Sequence, residues 1–150
     1  READHSNPKG YYEYEPVMSI HKDNSWMDKA QNKTVKIVAP LLNKIDEQYR
    51  YKIIFMTRDL NEVLKSQQKM IGKTEDVFPV KLYNKFQKLL SNIEVWKKKE
   101  PGVELIYLDY KDVLDNPELT VKSIERFLGV SLNRSEMINC IDKKLYRTKV

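Results

Sequence analysis

The order of apolar and polar positions along the chain alternates between two periods. Residues 34–38 (TVKIV) are short, β-branched and bounded by Asn32 and Pro40, which predicts a strand. Residues 41–45 predict a helical turn. Residues 52–57 (KIIFMT) form a continuous apolar run of strand length, the pattern of a strand buried on both faces of a parallel sheet. From Asp59 the spacing changes to Leu60, Val63, Leu64, Gln67, Met70 and Ile71, which is helical. Asp59 is placed to cap that helix, with Glu62 three residues on as a capping-box partner and Gly72 as the stop. A long helix over 80–99 carries Leu82, Tyr83, Phe86, Leu89, Leu90, Ile93 and Trp96, and Pro101-Gly102 ends it. Residues 103–108 (VELIYL) read as another buried strand. Asn116-Pro117 opens a helix that Gly129 closes, and a last helix is expected over 134–144. This order predicts an α/β domain with a mostly parallel sheet flanked by helices, the strands at 34–38, 52–57 and 103–108 being joined by helical crossovers. Residues 1–33 are polar and rich in turn signals, as in a surface loop with a short helix.

Composition narrows the class. The 150 residues are 41% hydrophobic and 33% charged, with four Gly and six Pro, which excludes collagen, low-complexity disorder and a coiled-coil rod. The length fits one domain spanning 1–150, with no repeat or linker. No apolar run approaches the roughly 20 residues that cross a bilayer, and no leader is visible, so the expected location is cytoplasmic. A single cysteine, Cys140, excludes an internal disulfide framework and a cysteine-based zinc site; its place between Ile138 and Ile141 suggests the core. Two histidines, His5 and His21, make a His-rich metal site unlikely, and no metal is expected.

The net charge of +5 is uneven. Between 81 and 99, Lys81, Lys85, Lys88, Lys97, Lys98 and Lys99 face Glu94 alone. Such a surface favours anionic partners, although a solvated helix face is the plainer reading and no nucleic-acid-binding signature accompanies it.

In open α/β sheets ligands gather beyond the carboxyl ends of strands. The best such junction is 52–68, KIIFMTRDLNEVLKSQQ. Arg58 stands at the strand end, and Ser66 lies seven residues after Asp59, roughly 10 Å further along the helix on the same face. A guanidinium and a hydroxyl at one edge suit a phosphate group. A surface pair between Arg58 and Asp59, with Ser66 solvated, is the alternative.

Arg58, an acidic residue, Val63 and Ser66 eight positions after the arginine together resemble the 3′-phosphate-binding segment of the sulfotransferase family. Two further stretches agree. One runs from Leu108-Asp109-Tyr110-Lys111-Asp112-Val113 through Asn116-Pro117 to Ile124-Glu125-Arg126-Phe127-Leu128-Gly129; the other is Asn7-Pro8-Lys9-Gly10-Tyr11-Tyr12-Glu13. The resemblance implies a fold like that of the P-loop NTPases, a 3′-phosphoadenosine 5′-phosphosulfate donor, Arg58 and Ser66 on its 3′-phosphate, and a hydroxyl or amine acceptor. The family's Gly-rich phosphate loop is not found, since Gly10, Gly72, Gly102 and Gly129 all lie elsewhere. The expectation is therefore a domain lacking its first strand and phosphate loop, inactive in this 150-residue form. The family's base histidine is also missing, with Val38 in its place. Glu13 and Glu15, among Tyr11, Tyr12 and Tyr14, are the candidates to take the acceptor's proton. A non-catalytic nucleotide-binding module, or a polyanion-binding one using the basic helix, is the alternative.

Overall fold

The computed structural model describes residues 3, 8–72 and 79–148. Strands β1 (Tyr51–Thr57) and β2 (Val103–Asp109) form a parallel pair, in register from Tyr51↔Val103 to Thr57↔Asp109. Between them run helices α1 (Leu60–Met70) and α2 (Val80–Lys99). Helices α3 (Tyr110–Asp115), α4 (Pro117–Leu128) and α5 (Arg134–Asn139) follow β2. Short 3-10 helices occupy Glu15–Ser19, Ser25–Ala30, Ala39–Lys44 and Lys143–Leu145. The α/β class and the parallel pairing of β1 with β2 agree with the sequence pattern.

Several helix ends have a local cause. Asp59 accepts from the backbone N–H of Asn61 and Glu62, and Asp109 from those of Lys111 and Asp112. These caps satisfy donors that the first turn leaves without partners. Gly129 ends α4 at φ +74°, its N–H on the Glu125 carbonyl at 2.8 Å. Gly102 makes the tight entry to β2, where an added Cβ would stand 3.0 Å from the Tyr49 carbonyl oxygen.

The core has two joined parts. Val17, Ile20, Trp26, Met27 and Ile45 pack with Tyr51 and Ile53 at the amino half of β1. Leu42, Phe55 and Ile93 pack with Leu89, Leu90 and Leu105 beneath the sheet, and Ile53 and Trp96 touch both parts. The long apolar stripe of α2 is therefore spent on the sheet, as its period implies.

Three expectations change. Residues 34–38 are not a strand: Val35 and Ile37 pack on the first cluster while Thr34, Lys36 and Val38 face outward. The alternation is real, but packing rather than a hydrogen-bonded ladder satisfies it, and the sheet of the described residues has two strands. The last helix ends at Asn139 instead of 144. Beyond it the Asp142 carboxylate accepts from the Lys144 N–H and starts a separate 3-10 turn. Cys140, expected in the core, is exposed at this break. Helix α3 was not foreseen in the pattern; the Asp109 cap creates it directly at the end of β2.

Candidate functional site

The paired carboxyl ends of β1 and β2 bring Arg58, Tyr110 and the chain's carboxyl-terminal segment together. Arg58 Nε donates to Glu62 Oε2 at 2.7 Å, one helical turn on, and Nη2 donates to the Thr148 carbonyl at 2.6 Å. The guanidinium carbon lies 5.0 Å from the Tyr110 ring centre and 5.2 Å from that of Tyr146. Those two rings meet edge to face at 5.6 Å, so the cation sits in their corner. The second oxygen of Glu62 accepts from the Tyr146 hydroxyl at 2.5 Å. That bond to a carboxylate pushes the Tyr146 phenol above its ordinary value.

Glu62 is buried, so its charge needs the partners it has. This also explains why the capping box is only half made: Asp59 caps α1, but Glu62 turns to Arg58 and Tyr146. The alternative surface pair between Arg58 and Asp59 does not form; the partner is Glu62.

An arginine has five N–H donors. Among the described residues Arg58 uses one on Nε and one on Nη2, which leaves two on Nη1 and one on Nη2. Its side chain is 22% exposed. Ser66 follows Glu62 by one turn on the same face of α1. It is half-buried, and its hydroxyl has no partner among the described residues. A guanidinium with N–H groups to spare has the donors that an anion needs, and Ser66 lies eight residues beyond it in the chain.

The other candidates lie apart. Glu13 pairs with Lys36 at 3.8 Å, and Lys36 also donates to the Tyr11 carbonyl at 2.8 Å. Glu15 is exposed at the start of a 3-10 helix. Neither glutamate contacts Arg58 or Ser66. The tyrosines around them diverge: Tyr11 is buried, Tyr12 points to solvent, and Tyr14 stands edge-on to Trp26 at 5.4 Å. His5 lies outside the described residues, and among those described no His, Cys, Asp and Glu side chains cluster as metal ligands. No helix of the described residues is long and apolar enough to cross a membrane. An open cleft of about 250 Å³, lined by Ile45, Tyr49, Tyr51, Trp96 and Gly102, lies at the amino ends of the strands, the opposite end from Arg58.

Sequence reasoning missed Glu62 as the partner of Arg58, although their i, i+4 spacing was visible. Tyr110, Tyr146 and Thr148 gave no signal, since only the fold brings them to Arg58.

A sequence model of the sulfotransferase domain matches residues 11–149, nearly the whole chain. The protein belongs to the sulfotransferase domain family, and the chemistry of that family is sulfuryl transfer. No curated protein and no solved structure matches the chain.

Proposed function

We propose that, in the complete protein, this domain serves the transfer of a sulfuryl group from 3′-phosphoadenosine 5′-phosphosulfate to a hydroxyl or amine, with Arg58 and Ser66 on the donor's 3′-phosphate. The observation that carries the reading is the set of unused Arg58 donors at the end of β1, with the unpartnered Ser66 hydroxyl one turn beyond Glu62. In the reaction the sulfur–oxygen bond to the phosphate breaks and a bond from sulfur to the acceptor forms. The leaving group is 3′,5′-bisphosphoadenosine. Arg58 and Ser66 anchor the nucleotide and take no part in bond making. The acceptor's proton passes to a carboxylate, and Glu13 and Glu15 are the candidates. Replacing the true base by glutamine lowers kcat on the order of 100-fold or more, while the other substitution leaves it unchanged.

Calorimetry with two nucleotides tests the anchor. Arg58→Ala weakens 3′,5′-bisphosphoadenosine by roughly 30- to 150-fold and leaves adenosine 5′-phosphate unchanged. Ser66→Ala shows the same selectivity with a loss of about fivefold. Equal weakening of both nucleotides by Arg58→Ala, or none, refutes the assignment.

A second reading has its own support. Lys81, Lys85, Lys88, Lys98 and Lys99 on α2 form no ion pair among the described residues. A polyanion-binding module using this helix predicts salt-sensitive binding that survives Arg58→Ala.

A further inference from the structure

Arg58 is held by four residues from three places in the chain. Glu62 comes from α1, Tyr110 from the start of α3, and Tyr146 and Thr148 from the carboxyl-terminal segment, 88 and 90 residues beyond Arg58 in the numbering. Tyr146 does two things at once. Its ring lies against the guanidinium, and its hydroxyl occupies Glu62 Oε1. Glu62 thus accepts the Arg58 Nε–H on Oε2 and the Tyr146 hydroxyl on Oε1. Carboxylates pair with arginine readily in a two-pronged fork. A carboxylate not held by Tyr146 is free to turn and take a second N–H from the guanidinium.

We infer that Tyr146 is a positioning residue for Arg58: by pinning Glu62 and walling the guanidinium, it keeps the remaining arginine donors open for the nucleotide's 3′-phosphate. This rests on the phosphate reading given above and extends the site to the far end of the chain. The Thr148 carbonyl adds to the same restraint by fixing Nη2. Tyr146 itself touches no nucleotide in this account; it acts only through Arg58 and Glu62.

The test measures, for each variant, the ratio of affinities for 3′,5′-bisphosphoadenosine and adenosine 5′-phosphate. That ratio isolates the contribution of the 3′-phosphate. Tyr146→Ala lowers it by roughly tenfold, through loss of both the ring and the hydroxyl. Tyr146→Phe keeps the ring and lowers it by about threefold. In an Arg58→Ala background neither substitution changes the ratio further, because the residue acts through Arg58. A general loss of packing would instead weaken both nucleotides by one factor, and that result overturns the inference; so does a ratio that still responds to Tyr146 once Arg58 is gone. Should Tyr146→Ala fail to fold, Tyr146→Phe still decides. Compared with the wild type, its Arg58 Nε–H resonance broadens if the hydroxyl pins the pair and is unchanged if it does not. A ratio unmoved by Arg58→Ala itself, or no binding of either nucleotide to the wild type, refutes the phosphate reading. A ratio moved by Arg58→Ala and not by Tyr146 refutes this inference alone.

Discussion

Lys52 of β1 donates to the carbonyl of Phe127 at 2.6 Å and to that of Leu128 at 3.3 Å, with its ammonium 5.5 Å from the Phe127 ring centre. These are the last carbonyls of α4, which no helical N–H reaches, and they form the negative end of that helix's dipole. A strand lysine thus caps a helix far along the chain. Lys52→Met keeps the apolar stem and removes the charge, and the expected loss is about 0.5–1 kcal/mol. Thermal unfolding of the two proteins side by side reads it; an unchanged midpoint shows that the cap contributes nothing.

Leu64 is 1% exposed, the most deeply buried large side chain among the described residues. Its place on α1 fixes the helix that carries Glu62 and Ser66. Leu64→Ala leaves a cavity that the surroundings close only in part, and the expected cost is roughly 3 kcal/mol. Denaturant titration measures it, and a loss below about 1 kcal/mol contradicts the packing described.

Three tyrosines report on alkaline pH. Tyr51 is pushed up to about 12, first by burial and then by Asp46; Tyr107 to about 12, first by burial and then by Glu94. Tyr49 reaches about 12 through its hydrogen bond to Asp28. A phenol whose folded value exceeds the unfolded one, about 10, favours folding while it stays protonated. The stability it contributes is complete below pH 10 and disappears as pH rises towards 12. Phenolate absorbance followed against pH is then biphasic, and a single step near 10 excludes the arrangement.

At acid pH the sensitive pair is Glu125 with Arg134. The Arg134 guanidinium at 2.6 Å, and next the Leu132 N–H at 3.0 Å, hold the Glu125 carboxyl below its usual value. A depressed carboxyl adds stability that is present above its unfolded value and is lost as pH falls through its folded one. Arg134→Ala raises the Glu125 titration midpoint towards that of a free glutamate, which carboxyl-carbon NMR follows directly. No movement of the midpoint shows that Arg134 is not its main partner.

Much of this was legible where local chemistry decides. The period change after Thr57, the Asp59 cap and the Pro101-Gly102 stop place β1, α1 and α2 within a residue or two. Residues 34–38 misled because β-branched alternation says that a segment has an inner face, not that a strand lies beside it. Around Arg58, its place at the end of β1 was readable from the period change, while Tyr110 and Tyr146 as its neighbours were not. Their rings reach Arg58 only after β2 has paired with β1 and the chain has returned from α5.

The pairing of Tyr51 with Val103 also sets an order of events during folding. Closing a loop of roughly 50 residues costs about 3.5 kcal/mol in chain entropy before the first ladder bond forms. The contacts within the intervening helices are local, and Asp59 caps α1, so they form without waiting for that closure. The sheet is a late product, and the corner that grips Arg58 is later still, because its last wall arrives with Tyr146. The corner around Arg58 is therefore a proofreading mark of the finished fold: a chain that has paired its strands wrongly has no such corner to offer.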